Sequence, residues 1–305
     1  MVHVKKLSEL SGHNGAVYAL EQSETQNCFY SASGDKIVAK WNMDSLSPEK
    51  FSAQLPAIIY ALCYIPDKNV LLAGTSEGKI HVIDLSEKKE VKVLLNHNQA
   101  VFDIKSGSHI LSAGGDGVLS IISPEDFSAI KLLKLCNDKL RAMDIYKNVA
   151  AVACGDGVIR IIDLKELKLK NKFQAHTGSV YSVKFTPDGK YLLSGGKDAH
   201  LNAWLMDDVL GLMENTKSPA PQPFRSIPAH NYAIYSIVFS PNGKYLATAS
   251  RDKTIKIWDT SIFEILTRIN KENSEGHINS VNKLFWGKHL VSASDDRKVM
   301  VWDIS

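Results

Sequence analysis

A fixed spacing of histidine, aspartate and tryptophan recurs along this chain of 305 residues and constrains its fold more than any other feature. In each full copy the aspartate follows the histidine by 22 or 19 positions, and the tryptophan follows the aspartate by 6. Four copies are complete: His13, Asp35 and Trp41; His176, Asp198 and Trp204; His230, Asp252 and Trp258; His277, Asp296 and Trp302. This period of roughly 40 residues predicts a chain built from repeated units.

Three incomplete copies fill the gaps between the complete ones. They keep the spacing but replace one or more of the three residues: His97, Asp116 and Ile122; Asn137, Asp156 and Ile162; Leu55, Glu77 and Ile83. The chain is therefore predicted to contain seven units.

The segment from His230 to Asp259 shows what each unit folds into. Three short apolar runs, at 234–239, 245–249 and 255–258, are separated by turn residues at 241–243 and 251–253. Short apolar runs between turns predict strands. A small twisted sheet cannot bury both faces alone, so the units are expected to stack, and closing the stack into a ring removes its open ends. The fold class is all-β.

At this point the chain resembles the WD-repeat (beta-transducin-like) β-propeller family. The resemblance lies in Trp258-Asp259 and Trp302-Asp303, in Gly12-His13 and Gly276-His277, and in the period. It implies a seven-bladed β-propeller of four-stranded antiparallel blades, with residues 1–305 forming a single domain. The last unit stops at Ser305 after its third strand, so residues 2–8 are expected to pair with the C-terminal blade and close the ring.

One sizeable insertion, residues 205–228, is placed between blades five and six. Its first half is predicted to form a short helix in which Val209, Leu210, Leu212 and Met213 cover part of the protein, whereas its second half is rich in proline. The resemblance places this connection on the bottom face, as a docking element for a partner or as a locally packed loop.

The repeated histidine, aspartate and a nearby serine, as in His230, Asp252 and Ser250, invite comparison with a hydrolase triad. Repetition argues against this interpretation, because one protein does not need four or five copies of an active site. The resemblance instead implies a buried structural brace within each blade. No enzyme activity, cofactor or metal site is predicted. The four cysteines, Cys28, Cys63, Cys136 and Cys154, are expected to be reduced and buried.

The resemblance places three positions per blade at the top face, around the mouth of the central channel. The first position follows the first apolar residue of each blade's first strand and is mostly aromatic. The second directly precedes that apolar residue and is mostly small, and the third precedes the aspartate of the turn and carries several charges. The residues assigned to partner binding from these positions are Tyr18, Tyr60, Phe102, Lys139, Arg141, Tyr181, Lys197, Tyr235, Arg251, Asn282 and Asp295. Aromatic residues and arginine dominate binding hot spots.

A non-catalytic scaffold or adaptor that binds a protein or peptide is the predicted function. Positive charge on blades four to six favours an acidic or phosphorylated ligand, while a cation held by the aromatic residues is the rival interpretation. The alternative function is a structural subunit of a ribonucleoprotein or chromatin complex that contacts nucleic acid through lysine-rich edges. The net charge of +3 is too small to favour nucleic acid or a membrane. A monomeric propeller within a larger complex, in the cytoplasm, is expected.

Overall fold

The computed structural model describes residues 2–211 and 221–305, and the strands in those residues form seven four-stranded antiparallel sheets. Each sheet is one blade, and consecutive strands pair within it. The prediction of an all-β, seven-bladed propeller is confirmed.

The strands are short because turn residues interrupt every apolar run. In chain order they are β1 (Val4–Leu10), β2 (Val17–Gln22), β3 (Cys28–Ser33), β4 (Ile37–Asn42), β5 (Ser47–Gln54), β6 (Ile59–Ile65), β7 (Val70–Thr75), β8 (Ile80–Asp84), β9 (Lys89–Leu94), β10 (Val101–Ser106), β11 (Ile110–Gly114), β12 (Val118–Ile122), β13 (Ala129–Lys134), β14 (Leu140–Tyr146), β15 (Val149–Cys154), β16 (Val158–Asp163), β17 (Lys168–Gln174), β18 (Val180–Phe185), β19 (Tyr191–Gly196), β20 (His200–Leu205), β21 (Arg225–Pro228), β22 (Ile234–Phe239), β23 (Tyr245–Ser250), β24 (Ile255–Asp259), β25 (Glu264–Ile269), β26 (Val281–Trp286), β27 (Leu290–Ser294) and β28 (Val299–Ile304).

The first strands of the blades form the inner ring of the molecule. Each one contacts the first strand of the next blade, in the closed order β2, β6, β10, β14, β18, β22, β26 and back to β2. These strands surround a central channel that contains a cavity of about 440 Å³. We call the end of the channel where the first strands begin the upper mouth. The turns between second and third strands lie at the same end.

Neighbouring blades are joined by apolar packing and by hydrogen bonds between their first strands. One buried cluster combines Leu193 of blade five with Ile237 and Trp258 of blade six. On the inner ring, Asp103 Oδ2 of blade three accepts a hydrogen bond of 2.7 Å from the Met143 backbone N–H of blade four. Each blade therefore contributes to the burial of the next, as expected for a repeat protein.

Blade seven takes its outer strand from the beginning of the chain. Strand β1 pairs antiparallel with β28, from Val4 opposite Ile304 to Leu10 opposite Val299. The pairing continues outward, because the N–H of His3 donates to the Ser305 carbonyl at 2.7 Å and the N–H of Ser305 donates to the His3 carbonyl at 3.1 Å. The predicted closure is confirmed, and the strand extends two residues beyond the predicted residues 2–8.

The additional residues of the insertion lie within blade five rather than between blades five and six. Strand β21 pairs with β20, so residues 225–228 are the outer strand of blade five. Helix α1 (Met206–Leu210) follows β20 directly and ends at Gly211, whose φ of +67° lies in the left-handed region that favours glycine. Val209 is fully buried, as predicted. Leu212 and Met213, also assigned to the helix, lie outside the described residues.

The helices are too short to cross a bilayer. Helix α1 has five residues and α2 (Lys271–Ser274) has four. In the two described ranges no helix has the length and apolar character of a membrane span.

Candidate functional site

A β-bulge near the start of each first strand sets the side chains at the upper mouth. In all seven blades, within the described residues, the register with the second strand skips one position of the first strand. The skipped residues, here called the mouth residues, are Tyr18, Tyr60, Phe102, Arg141, Tyr181, Tyr235 and Asn282. A bulged residue leaves the pairing pattern and its side chain is redirected. These are the seven residues assigned to the first mouth position from the sequence.

The mouth residues pack side by side around the channel. The ring centroids of Tyr18 and Tyr60 lie 5.0 Å apart, and those of Tyr60 and Phe102 lie 5.5 Å apart. The rings of Tyr181 and Tyr235 meet edge to face at 5.0 Å. Each of these side chains is half-buried. The aromatic residues thus form a belt that narrows the channel and still presents ring surface to solvent.

Arg141 bridges the two aromatic groups of this belt. Its guanidinium carbon lies 5.2 Å from the ring centroid of Phe102 and 5.2 Å from that of Tyr181. Both distances fall within the range of a cation–π contact. Its Nε–H is buried and has no hydrogen-bond partner among the residues described. Two rings therefore hold a cation at the mouth, and its buried Nε–H is not paired within the described residues.

Blade seven closes the belt with polar groups. The Asn282 amide donates to the carbonyl of Val17 at 3.1 Å, which connects blade seven to blade one. The same amide donates to Asp295 Oδ1 at 2.7 Å. The lone acidic residue of the predicted site is thereby engaged within the protein.

A backbone hydrogen bond connects the second and third mouth positions in every blade. The N–H of the third-position residue donates to the second-position carbonyl at 2.7–3.0 Å, from Gly34 and Ala16 in blade one to Asp295 and Ser280 in blade seven. The side chains of Lys139, Lys197 and Arg251 are exposed at these positions. Arg251 lies 5.9 Å from the ring centroid of Tyr232, which is itself exposed. The upper mouth therefore carries positive charge on blades four, five and six.

The histidine, aspartate and tryptophan of each complete repeat form a hydrogen-bonded brace. In blade six, His230 Nδ1 lies 2.9 Å from Asp252 Oδ2, and His230 Nε2 lies 2.8 Å from the Thr248 hydroxyl. The Trp258 Nε1–H donates to that hydroxyl at 2.9 Å. With the histidine proton on Nδ1, every polar atom in the series has a partner. Blades one, five and seven have the same arrangement, with Ser31, Ser194 and Ser292 as the hydroxyl.

The hydroxyl that contacts His230 is not that of Ser250, the serine of the triad considered in the sequence. Ser250 does not contact His230; its hydroxyl donates to the Tyr232 carbonyl and accepts from the Asp252 N–H. The hydroxyl in contact with His230 belongs to Thr248, two residues earlier, and is fully buried beneath Trp258. A hydroxyl without access to solvent cannot attack a substrate, which favours the structural role.

Removing one member of the brace is expected to destabilise the protein. Asp252 accepts from His230 and from the backbone N–H groups of Asn231 and Thr254. Asp252→Ala leaves buried donors without partners, so we expect the free energy of unfolding to fall by about 1–3 kcal/mol. Urea unfolding measures this change. Glu77→Ala is the matched control in blade two, where the acid is exposed and pairs with Lys79 at the surface. Equal melting temperatures of the two variants would contradict the brace.

Acid is expected to weaken the same braces. Burial lowers the pKa of His97 and His230 below 6.5. Burial would raise the pKa of Asp198, but the hydrogen bond and charge of His176 and the backbone N–H groups of Thr177 and His200 together outweigh it, and the pKa falls to about 2. Between each folded and unfolded pKa the unfolded chain binds more protons, so stability rises with pH. We expect the contribution of the braces to stability to be complete above pH 6.5, to decline below it, and to fall most steeply below pH 3.8. The raised pKa of Glu21 acts in the opposite direction between pH 4.5 and about 7, so thermal melts of Glu21→Gln from pH 8 to pH 3 are the test. A stability maximum near pH 5 in that variant contradicts the prediction.

Blades two, three and four depart from the complete brace. Blade three keeps His97, Asp116 and Ser112, with Ile122 in place of the tryptophan donor. In blade two Leu55 is buried where the histidine would stand. In blade four Asn137 is exposed, and Asp156 pairs instead with Arg160.

The channel below the mouth contains charged side chains that the sequence analysis did not identify. Lys105 pairs with Asp103 at 3.0 Å, and Lys184 pairs with Asp144 at 2.8 Å. Desolvation raises the pKa of the Glu21 carboxyl to about 7, although Lys105 acts in the opposite direction. These residues lie on first strands, beyond the bulge. Their signal in the sequence is a charged residue inside an otherwise apolar strand.

The cysteines are only partly as predicted. Cys28, Cys63 and Cys154 are buried and all four are free, but Cys136 is partly exposed. Cys136 and Cys154 are far apart in the sequence, yet their sulfurs and an Asp156 carboxylate oxygen lie within 4.8 Å of one another. The fold therefore assembles a cluster that spacing along the sequence does not reveal.

Comparison with known protein families matches the four blades that carry the complete brace. The family model described as WD domain, G-beta repeat, matches residues 4–42, 167–204, 221–259 and 269–303. Each range begins on or just before the outer strand of one blade and continues through the first three strands of the next, which are those of blades one, five, six and seven. The matched segments are therefore those in which histidine, aspartate and tryptophan are all present.

Several curated proteins are similar to this chain over part of its length. Protein HIRA of Dictyostelium discoideum is 35% identical over 126 residues, which are 39% of this chain and 11% of that protein. Striatin of Rattus norvegicus is 22% identical over 286 residues, 84% of this chain and 35% of that protein. Target of rapamycin complex subunit LST8 of Bos taurus is 25% identical over 230 residues, 71% and 67% of the two chains. The chain thus spans only a minor part of the first two relatives.

Proposed function

We propose, since the chain belongs to the WD-repeat β-propeller family, that it acts as a non-catalytic scaffold in the cytoplasm, with residues 1–305 as a single domain. Its partner is an acidic or phosphorylated protein segment that binds at the upper mouth. The observation that carries this proposal is the position of Arg141 between the rings of Phe102 and Tyr181, with its Nε–H buried and without a partner in the part of the chain that the structure describes.

The charge around Arg141 favours an acidic ligand over a cationic one. Lys139, Lys197 and Arg251 are exposed on the same side of the mouth. A carboxylate or phosphate there would gain charge-assisted hydrogen bonds, which are stronger than neutral ones. A cationic ligand would instead compete with Arg141 for the faces of Phe102 and Tyr181. The aromatic belt then supplies contact area and the arginines supply the charge that orients the segment.

The relatives support a role in protein interaction. LST8 is by its name a subunit of the target of rapamycin complex, and this chain aligns with two thirds of its length. Fold likeness alone does not transfer a function, because the same propeller is used for many roles. The upper mouth is therefore the feature that must be tested.

The outer strands make a weaker case for nucleic acid. They present many lysines, but several pair with neighbouring acids, as Lys168 does with Glu166 and Lys89 with Glu87. Lysine on an outer strand also discourages edge-to-edge pairing between chains, which explains it without a ligand.

Affinity capture from lysate tests the proposal. We expect the wild type to capture specific proteins and Tyr181→Ala/Tyr235→Ala/Arg251→Glu to lose them, because the variant removes two rings and reverses one charge at the mouth. Binding of acidic segments identified in these proteins is then measured directly with Arg251→Glu alone. We expect affinity to fall at least tenfold.

Lys244→Glu is the matched control for charge. Lys244 is also in blade six, is exposed, and lies 5.0 Å from the ring centroid of Tyr245, but it belongs to the turn at the opposite end of the blade. This variant should keep every partner. If the wild type and the triple variant melt at the same temperature and capture the same proteins, the mouth is not the binding site. Tighter binding by Arg251→Glu would indicate the cationic ligand instead.

A further inference from the structure

Blade four replaces the brace with a cluster of a different chemistry. Asn137 stands where five of the other blades have histidine and is exposed, and Val152 stands where those five have the buried hydroxyl. The space near these positions contains the thiols of Cys136 and Cys154 and the ion pair of Asp156 with Arg160. Cys136 lies in the loop before β14, and Cys154 is the last residue of β15. The two thiols thus lie on the loop before the first strand and on the second strand, the two parts of the blade that the histidine connects in the complete braces.

Asp156 is paired with Arg160, so the two cysteine sulfurs are the remaining members of the cluster. Arg160 Nη1 and Nη2 donate to Asp156 Oδ1 and Oδ2 at 3.0 and 2.7 Å, so both carboxylate oxygens are engaged. The Arg160 side chain is 9% exposed. A guanidinium this close opposes a metal cation. The sulfurs lie within 4.8 Å of each other and would have to approach to the roughly 2.0 Å of a disulfide bond.

The two thiols differ in access and acidity. Cys136 is partly exposed, whereas Cys154 is fully buried. A hydrogen bond from Cys154 lowers the pKa of Cys136 to about 7, assisted by the backbone of Asp138 and the charge of Arg160 and opposed by burial. The same hydrogen bond, together with burial, raises the pKa of Cys154. A larger share of Cys136 is therefore thiolate at pH 7 than the few per cent of an ordinary thiol. When protonated, Cys136 Sγ donates to the Asp138 carbonyl at 3.0 Å.

We propose that Cys136 and Cys154 are a redox-active pair that hydrogen peroxide or a related hydroperoxide converts to a disulfide. The Cys136 thiolate attacks one peroxide oxygen, the O–O bond breaks, and the departing oxygen leaves after protonation, as water from hydrogen peroxide or as an alcohol from a hydroperoxide, giving a sulfenic acid. The Cys154 sulfur then attacks the Cys136 sulfur, the S–O bond breaks, and water leaves with the proton of the thiol. The two thiols supply the two electrons that reduce the peroxide. The disulfide ties the loop before β14 to the end of β15.

The pair is tested on the reduced full-length chain by alkylation and peptide mapping. We expect the alkylation rate of Cys136 to rise with pH with a midpoint near 7. After one equivalent of hydrogen peroxide, two of the four thiols should be lost and peptides containing Cys136 and Cys154 should be linked, reversibly with dithiothreitol. Cys28 and Cys63, buried and outside the cluster, are internal controls and should remain reduced.

Two variants separate the pair from general thiol reactivity. In Cys154→Ala the Cys136 thiol loses its hydrogen-bond donor, so its alkylation midpoint should rise and peroxide should leave a sulfenic acid that dimedone traps. In Cys63→Ser the linked peptide should form as in the wild type. An alkylation midpoint of about 8.5 or above in the wild type overturns the proposal. So does a linkage between two chains, or a purified chain that retains a metal ion blocking both thiols.

Discussion

Deletion of residues 2–10 is expected to abolish the cooperative unfolding of this chain. The deletion removes β1, so β28 loses the partner with which it pairs from Val299 to Ile304. It also removes Leu10 from a buried cluster that contains Trp41 and Val299. Blade seven would then present an open strand, and the ring would lose its closure. The loss should approach the whole stability of an ordinary domain, about 5–15 kcal/mol. Thermal unfolding followed by circular dichroism and calorimetry measures it.

A circular permutant provides the control for this deletion. His3 and Ser305 exchange two backbone hydrogen bonds, so an Asn-Gly turn can join Ser305 to His3 as a β-hairpin. The chain is opened between Leu10 and Ser11, and β1 then follows β28 in sequence. We expect this permutant to unfold cooperatively near the wild-type temperature. If the deletion variant also does so, β1 is not the closing strand.

Replacement of Trp258 by alanine is expected to cost about 3–5 kcal/mol, the largest effect of a single substitution in the brace. Its side chain is 1% exposed and packs in the cluster that joins blades five and six. The substitution leaves a large cavity between blades and removes the donor to Thr248. Urea denaturation of the wild type and variant measures the difference.

Trp258→Phe separates the two contributions of this tryptophan. Phenylalanine keeps most of the ring volume but has no N–H, so only the hydrogen bond to the Thr248 hydroxyl is lost. We expect a cost of about 1–3 kcal/mol. If phenylalanine is as costly as alanine, the hydrogen bond dominates and the role assigned to packing is wrong.

The sequence was sufficient to predict the fold because its strongest signals are periodic. The His13, Asp35 and Trp41 spacing returns in blades five and six and, with the first gap shortened to 19 positions, in blade seven, and each copy forms the same brace. The closing strand was also predictable, since the last repeat ends one strand short of a blade. The position of the insertion was harder to predict because β21 is only four residues long. It ends at Pro228 and follows a proline-rich stretch, and proline is not typical of a strand.

Contacts between residues distant in the sequence could not be predicted in this way. The spacing does not indicate whether Thr248 or Ser250 faces His230, because both are polar residues on β23. Cys136 and Cys154 meet only because β14 and β15 fold back on each other. Arg141 was assigned to the mouth, but its place between Phe102 and Tyr181 depends on side-chain packing across three blades. The partner-binding role of these residues stays a prediction.

The bulge in each first strand separates the residues that pair with the second strand from the residue that faces the upper mouth. A residue such as Tyr60 has no paired position opposite it, whereas its neighbours Ile59 and Ala61 pair with Thr75 and Gly74. Substitution at the bulge therefore alters the side chains at the upper mouth without changing a paired position between the first and second strands. The seven mouth residues can therefore be substituted without changing the strand pairing of the blades. Two propellers of this kind could share every strand and bind different partners.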